Sequence, residues 1–175
     1  MESIVKHAKK LAYLKHDTRG ESQRYGDAPY SKHLDDVVKN IEKYIYYIDI
    51  EDREDMLACG YLHDIVEDTE ISPSDLRKMF NEKIADTVFR VTNERGFNRK
   101  EKNFKTYPKI WTSRNAIFLK LCDRLANSVN SKKNKKELFK MYVKEYPVFR
   151  YALKIGDSMF KNLWKDLDKI MGFKL

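Results

Sequence analysis

Apolar residues recur at helical spacing along most of the chain, and no alternating pattern of useful strand length interrupts them. An apolar stripe that begins at Ile4 predicts an amphipathic helix at the start of the sequence. Residues 17–29 combine turn formers with helix breakers and are predicted to form a loop. Pro29 and Ser31 are then expected to open a second helix that runs through Tyr47. Its apolar stripe comprises Leu34, Val37, Val38, Ile41 and Ile45.

The middle of the chain predicts one buried helix followed by shorter ones. Residues 52–66 are apolar nearly all round, which is typical of a buried helix. Ser72 or Ser74 is expected to cap a short helix, whose first turn tolerates Pro73. Another helix is predicted over residues 81–92, and the basic stretch that follows it carries no clear pattern.

The last third of the chain predicts three more helices. Residues 112–130 form a strong amphipathic pattern, and the Lys-rich residues 132–136 that follow indicate a solvated connector. Pro147 is expected to separate two further helices, over about residues 135–145 and 148–170. The inward side chains predicted for the first of these helices are Ile117, Phe118, Leu121, Cys122, Leu125 and Val129. The whole pattern predicts one all-α domain.

The composition supports a single packed domain and excludes several classes of protein. The chain has 175 residues, 42% of them hydrophobic, which is enough for a core and too much for a disordered chain. Two cysteines, Cys59 and Cys122, cannot build a disulfide framework or a multi-cysteine zinc site. The start of the sequence lacks the apolar centre of a secretion signal, and no run approaches the roughly 18 apolar residues of a membrane span. We therefore expect a cytoplasmic protein without a membrane partner.

The net charge of +8 is unevenly distributed along the chain. Residues 1–89 carry 13 Lys and Arg against 19 Asp and Glu. Residues 90–120 carry 9 against 2, and residues 121–175 carry 13 against 6. An acidic part and a basic part within one small domain suggest a site that meets both cations and anions. The alternative is a helix surface that is simply rich in lysine.

An ionisable cluster lies at the end of the predicted buried helix. His63 and Glu67 are four residues apart and share a helix face, as do Asp64 and Asp68. Because desolvation of an unpaired carboxylate costs several kcal/mol, such a cluster needs compensation, and a divalent cation would supply it. The alternative is a surface turn with a helix-ending acidic cluster.

Two further segments could complete a metal site. Asp123 and Asn127 are four residues apart in the strongly apolar helix 112–130, and His33 lies in the first turns of its own helix. Asp123 could instead form a buried ion pair, and a lone histidine is more often structural. Taken together with His63 and Asp64, however, they make an imidazole and carboxylate ligand set that suits Mn, Fe, Zn or Ni. The adjacent carboxylates could then handle protons of a metal-bound water.

Three motifs make the sequence similar to the HD-domain metal-dependent phosphohydrolases. Most closely it resembles the hydrolase domain of the RelA/SpoT proteins and the small alarmone hydrolases, over about residues 1–130. The family pattern HD-x-x-EDT matches His63–Thr69, and the pattern KLxDRLxN matches Lys120–Asn127. A third pattern, an arginine followed by PYxxH, matches Arg24 to His33. The resemblance implies an all-α HD-type helical bundle with a central metal site.

The resemblance also implies an activity, a cofactor and residue roles. Those enzymes use Mn²⁺ to remove the 3′-pyrophosphate of the guanosine alarmones ppGpp and pppGpp. By resemblance the ligands of one Mn²⁺ ion, or of another divalent transition metal, are His33, His63, Asp64 and Asp123. Glu67 and Asp68 would position or deprotonate the attacking water. Arg24 would lie against the guanine base, with Tyr25 beside it, and Asn127 would bond the ribose.

Two departures from the family pattern leave alternatives open. The family often has Lys where this chain has Tyr25, and Pro where it has Leu34. A 5′-nucleotidase, or a phosphatase of NADPH or dNTPs, would share the metal ligands and differ in the base and phosphate contacts. A nucleic-acid-binding or regulatory protein with the same fold is the other alternative, supported by the basic residues 121–175. Residues 131–175 match no motif, and we expect a helical extension packed on a core of residues 1–130.

Overall fold

The computed structural model describes residues 2–17, 24–156 and 159–174 and is almost entirely helical. Its helices are α1 (Ile4–Asp17), α2 (Ser31–Tyr44), α3 (Arg53–Leu62), α4 (Ile65–Asp68), α5 (Pro73–Met79), α6 (Glu82–Val91), α7 (Arg99–Trp111), α8 (Arg114–Asn134), α9 (Lys136–Leu153) and α10 (Lys161–Met171). Two 3₁₀ turns, Ile45–Tyr47 and Ile50–Asp52, connect α2 to α3. The prediction of an all-α bundle is confirmed.

Helix α8 forms the axis of the bundle. It is 21 residues long, and its middle is buried on nearly every side, because α2, α6, α7, α9 and α10 all pack against it. Helix α3 packs between α1 and α2 and is also buried almost all round. The apolar core therefore surrounds α8, which carries one predicted metal ligand, and α3, which ends directly before two others.

The loop before α2 contains a small antiparallel ladder that the sequence did not predict. Strands β1 (Arg24–Tyr25) and β2 (Ala28–Pro29) pair across a two-residue turn at Gly26 and Asp27. Gly26 has a φ of +70°, a backbone conformation that glycine adopts without strain. The rest of the predicted loop, residues 18–23, lies outside the described residues. The ladder places Arg24 and Tyr25 directly before the helix that carries His33.

Several predicted helix boundaries were wrong. The predicted helix 52–66 ends at Leu62, and a turn at His63 and Asp64 separates it from α4. The stretch without a clear pattern is α7, whose N-terminus is capped by the Asn98 side chain. Val129 was predicted inward but is 55% exposed, because the inward face of this part of α8 passes through Ser128 and Ser131, which are fully buried.

Two predicted interruptions near the C-terminus are also absent. Residues 132–134 continue α8, so that the Lys-rich connector shrinks to Lys135. Helix α9 runs through Pro147 without a break. Proline removes one backbone hydrogen bond, but the fully buried side chains of Tyr146 and Phe149 hold the helix to the core on both sides of it. The last predicted helix, 148–170, begins only at Lys161 as α10, and residues 157 and 158 lie outside the described part.

The structure gives no obvious boundary at residue 130, because α8 crosses it and α9 and α10 pack back onto α8. The division into a core and an extension therefore stays a prediction. Cys59 and Cys122 are both buried and unpaired. Among the described residues, none of the helices has the length and apolar character that a membrane crossing demands.

The contact between α2 and α3 depends on Gly60. A Cβ atom at this position would lie 2.6 Å from Ile41 Cδ1 and 2.9 Å from Val38 Cγ2, both closer than van der Waals contact. Only glycine therefore lets the two helices approach at this point. The same approach sets the distance between His33 on α2 and His63 just beyond α3.

We expect Gly60→Val to lower the free energy of unfolding by about 1–3 kcal/mol, because overpacking forces the two helices apart. Gly60→Ala should cost less, since a gain of about 1 kcal/mol in helix propensity offsets part of the clash. Urea denaturation followed by circular dichroism measures both. An unchanged midpoint for Gly60→Val would contradict the close approach of α2 and α3.

Candidate metal centre and the adjoining cleft

Four predicted ligand residues converge from three helical segments. His33 lies in the first turn of α2, and Asp123 lies in the middle of α8. His63 and Asp64 occupy the turn where α3 ends and α4 begins. This break in the helix explains why two consecutive residues can face the same point, which neighbours in a continuous helix cannot do.

The ligand atoms lie close enough for one ion. His33 Nε2 lies 3.2 Å from His63 Nε2, and His63 Nε2 lies 3.1 Å from Asp64 Oδ2. Asp123 Oδ1 lies 3.4 Å from His33 Nε2 and 3.9 Å from His63 Nε2. Atoms that ligate one ion at about 2.1 Å are separated by about 3.0–3.4 Å at angles near 90–110°. His33, His63 and Asp64 thus form a possible metal site, beside which Asp123 lies.

Hydrogen bonds orient the two imidazoles and the carboxylates. His63 Nδ1 donates to the carbonyl oxygen of Gly60 at 2.9 Å, which leaves Nε2 as the atom that can bind a cation. The Tyr30 hydroxyl donates to Asp64 Oδ2. Asp123 Oδ2 pairs with Lys120 Nζ at 2.9 Å. Such outer partners fix ligand geometry before any ion binds.

The pKa shifts of His63, Asp64 and Asp123 show that this cluster stabilises positive charge. Burial disfavours the charged form of His63, but the carboxylates of Asp64 and Asp123 outweigh it and raise the pKa of His63 to about 9. Burial likewise opposes ionisation of Asp64, yet the two imidazoles hold its pKa well below the ordinary value. The pKa of Asp123 is also lowered, against burial, by Lys120 and both imidazoles. A divalent cation fits this donor set, since it would take over the role of the proton on His63.

The two other predicted carboxylates flank the cluster from α4. Glu67 accepts hydrogen bonds from the backbone N–H and the side-chain amide of Asn93, at 3.2 and 3.0 Å. Asp68 Oδ2 lies 3.9 Å from Nδ1 of the buried His16, whose ring stacks on Tyr30. Both carboxylates line an open polar cleft that the ligand residues Asp64 and Asp123 also line.

The opposite wall of this cleft is basic. Its cations are Arg99, Lys120 and Arg124. Among the Lys and Arg residues of the described range 90–114, only Arg99 lines the cleft beside the candidate metal site. Lys102 lines an adjoining hollow that also contains Phe97, whereas Arg90 is bonded to Asp86 and Thr112 elsewhere. The cleft therefore joins an acidic end to a basic wall, as the uneven charge of the sequence suggested.

The predicted substrate contacts differ in their surroundings. Asn127 lines the cleft, and its amide donates to Asp123 Oδ1 at 2.5 Å. Arg24 is exposed and donates to the carbonyl oxygen of Asp27 within its own turn. Tyr25 is only 9% exposed, packs on the His33 ring, and donates its hydroxyl to the carbonyl oxygen of Ala126 at 2.8 Å. The roles of these three residues in substrate binding stay predictions.

Sequence reasoning missed several residues of the cleft. Asn93 and Asn103 are uncharged residues outside the predicted ligand segments, and Tyr142 belongs to the part that matched no motif. Tyr30 was noticed only as part of the motif that ends at His33. Lys120 and Arg124 were noticed only as letters of a motif. The one signal available concerned Lys120, which lies three residues before Asp123 and so shares its helix face. Arg124 directly follows Asp123, and its position gave no such signal.

Comparisons with known proteins agree with the resemblance. A Mycoplasma pneumoniae protein named probable guanosine-3′,5′-bis(diphosphate) 3′-pyrophosphohydrolase is 39% identical over 84 residues, 41% of this chain and 12% of that protein. A Synechocystis protein of the same name is 27% identical over 169 residues, 86% of this chain and 21% of that protein. The Drosophila melanogaster enzyme MESH1, named without "probable", is 33% identical over 75 residues, 42% of each chain. This chain thus spans less than half the length of each curated relative. No protein-family model matches it.

Solved structures show the same fold along nearly the whole chain. The structure of a metazoan orthologue of SpoT, described as hydrolysing ppGpp, matches with a TM-score of 0.81 at 24% identity, covering 98% of this chain and 96% of that one. A Listeria monocytogenes protein matches with a TM-score of 0.62 at 22% identity, covering 83% and 98%. In sequence the chain is thus similar to proteins named guanosine-3′,5′-bis(diphosphate) 3′-pyrophosphohydrolases, and its helical bundle has the same fold as the metazoan SpoT orthologue.

Proposed function

We propose that this protein is a metal-dependent phosphohydrolase that removes the 3′-pyrophosphate of ppGpp and pppGpp, giving GDP or GTP and pyrophosphate. The observation that carries the proposal is the cluster of His33, His63, Asp64 and Asp123 at the acidic end of a cleft with a basic wall. A cation site beside an anion-binding wall is the arrangement that phosphate-ester hydrolysis needs. The names of the sequence relatives support the choice of substrate.

His33, His63, Asp64 and Asp123 would hold one divalent ion, Mn²⁺ by the resemblance. When bound, such an ion lowers the pKa of a water molecule and polarises the phosphoryl group. Lys120 neutralises the second oxygen of Asp123 and so limits repulsion among the carboxylates. Tyr30 does the same for Asp64 by hydrogen bonding.

Glu67 and Asp68 would manage the proton of the attacking water. Both carboxylates line the cleft but lie outside the four-residue ligand set, so that they are available as proton acceptors. Asn93 fixes the Glu67 carboxylate through two hydrogen bonds. As the water oxygen bonds to the phosphorus next to the ribose, the bond from that phosphorus to O3′ breaks, and O3′ takes a proton.

Arg24 and Asn127 would bind the nucleoside. The guanidinium plane of Arg24 can stack on a purine. The amide nitrogen of Asn127 is engaged with Asp123, which leaves its carbonyl oxygen to accept a hydrogen bond from a ribose hydroxyl. Both residues lie in segments that also carry a ligand, and a nucleoside between them would have its 3′ substituent at the metal cluster.

Tyr25 favours a second candidate, a phosphatase of another nucleotide such as NADPH or a dNTP. Its buried hydroxyl bonds to Ala126, and it offers no cation where the family often has lysine. A substrate that requires an ammonium group at this place would bind more weakly. Incubation of the protein with Mn²⁺ and either ppGpp, NADPH or dNTPs separates the two candidates. Only a ppGpp hydrolase releases pyrophosphate and GDP from ppGpp.

We expect binding of Mn²⁺ at pH 7.5 to release about one proton per ion. His63, with a pKa of about 9 in the free protein, is protonated at this pH and must be neutral to bind the ion. The affinity for Mn²⁺ should therefore rise about tenfold per pH unit until pH approaches 9. Calorimetry in two buffers of different ionisation enthalpy measures the number of protons.

His63→Ala should abolish stoichiometric metal binding in the same experiment. His7→Ala is the matched control, because His7 is exposed on α1 and distant in sequence from the ligand segments. Metal binding without proton release, or metal retained by His63→Ala, would contradict the assignment of His63 as a ligand.

Glu67→Gln is expected to lower kcat by roughly 10²–10⁴ while metal content stays unchanged, since the variant keeps the shape of the side chain and loses the proton acceptor. Glu54→Gln, the same change at an exposed position of α3, should have wild-type kcat. Steady-state kinetics and metal analysis of the purified variant measure the two quantities. If Glu67→Gln lost both kcat and bound metal, Glu67 would be a ligand instead.

Arg24→Ala should raise KM for ppGpp more than it lowers kcat, because a base contact is shared by ground state and transition state. Arg77→Ala, at an exposed ion pair with Glu82, serves as the control.

Product analysis decides the function itself. Orthophosphate release from mononucleotides or NADPH, without turnover of ppGpp, would replace the alarmone by the second candidate.

A further inference from the structure

One guanidinium nitrogen of the buried Arg124 lacks a hydrogen-bond acceptor among the described residues. Arg124 is 4% exposed, and the nitrogen concerned is its Nη1 atom. The neighbouring carboxylate oxygen, Glu145 Oε2, lies 3.6 Å away and is itself buried without a hydrogen bond. Buried charged groups are costly when their hydrogen bonds are unmade. Because Nη1 of Arg124 has only this long ion pair with Glu145, it can donate a hydrogen bond to a further anion.

The position of Arg124 identifies where that anion would lie. Arg124 follows Asp123 in α8, and both line the cleft of the metal cluster. Arg99 at the start of α7 lines the same cleft and extends into the adjoining hollow. Two guanidinium groups from different helices thus stand beside a candidate cation site.

Helix α9 holds the two guanidinium groups in place. Glu145 Oε1 accepts from Arg99 Nε at 2.7 Å, so that this bond leaves the Nη groups of Arg99 available. The Tyr142 ring centroid lies 5.4 Å from the Arg99 guanidinium carbon and 4.7 Å from that of Arg124. Phe149 lies 4.6 Å from the Arg124 carbon. One carboxylate and aromatic faces fix two cations, which leaves an excess of positive charge.

We propose that Arg99 and Arg124, positioned by Glu145 and Tyr142, form a subsite for the distal phosphate of a pyrophosphate group whose near phosphate lies at the metal cluster. Planar guanidinium groups bind phosphate oxygens in pairs. The proposal rests on the proposed function and adds to it a basis for specificity. A substrate with a pyrophosphoryl group fills the subsite, whereas a substrate with a single phosphoryl group leaves it empty.

Calorimetric titration with inorganic pyrophosphate and with orthophosphate tests the subsite without requiring turnover. The protein is first loaded with one equivalent of Mn²⁺. We expect Arg124→Gln and Arg99→Gln each to raise the Kd for pyrophosphate about tenfold or more, the effect of losing one charge-assisted contact. The Kd for orthophosphate should stay within twofold of the wild type. Arg90→Gln removes the same charge away from the cleft and should change neither value.

Glu145→Gln distinguishes positioning from simple electrostatics. Removal of a negative charge from the wall would by itself tighten anion binding. If Glu145 positions the two arginines, the Kd for pyrophosphate should instead rise severalfold, with little change for orthophosphate. A lower Kd for pyrophosphate would overturn the role of Glu145.

A folded Arg124→Gln protein, by circular dichroism, whose Kd for pyrophosphate is within twofold of the wild type would overturn the subsite. If that variant does not fold, Arg99→Gln tests the subsite instead. The Arg99 side chain is 44% exposed, so that its replacement should leave the protein folded. An unchanged Kd for Arg99→Gln then refutes the proposal. Failure of the proposed function is a separate result, since it appears as absence of GDP from ppGpp while pyrophosphate binding is unaffected.

Discussion

The structure depends on the compensation of buried carboxylates inside an apolar bundle. Asp64 and Asp123 stay ionised only because two imidazoles, Lys120 and a tyrosine hydroxyl surround them. An ionised carboxylate with no such partner would cost several kcal/mol in this setting. The protein retains the arrangement although an apolar substitute would stabilise the bundle more simply, and a group kept at such a cost indicates function. The break of α3 at Leu62 and the close approach at Gly60 both serve this cluster.

Much of the fold could be predicted because its signals are local. The stripe that begins at Leu34 and the pattern of residues 112–130 gave α2 and α8 with few errors. The errors lie where tertiary packing overrides local preference. Pro147 remains helical because Tyr146 and Phe149 are locked in the core, and the turn at His63 interrupts a sequence that is helical by every local measure. The prediction that Val129 is buried was wrong because apolar periodicity does not detect Ser128 and Ser131, the small polar residues that take the inward face there.

In the candidate site, too, local sequence signals predicted one part and missed another. Motifs named the residues that the structure brings together at the acidic end, since each motif is a short run with a defined helix face. The basic wall could not be predicted in this way. Arg99, Arg124 and Glu145 are separated by more than twenty residues from one another, and no local pattern announces that α7, α8 and α9 meet at one cleft. Charge asymmetry indicated that a basic region existed, but only the fold shows which cations face the metal cluster.

The proposed function requires one cleft to bind a divalent cation and a polyanionic nucleotide, so that its own acidic and basic side chains must not neutralise each other. If Arg124 turned toward Asp123, the ion pair would occupy the place of the metal and of the phosphate at once. Glu145 pairs with both guanidinium groups from α9, and the rings of Tyr142 and Phe149 lie against that of Arg124, so that these contacts oppose such a turn. Lys120 pairs with Oδ2 of Asp123, whereas the two imidazoles lie near Oδ1. On this argument the C-terminal helices, which carry no recognisable motif, are part of the site rather than a covering for it.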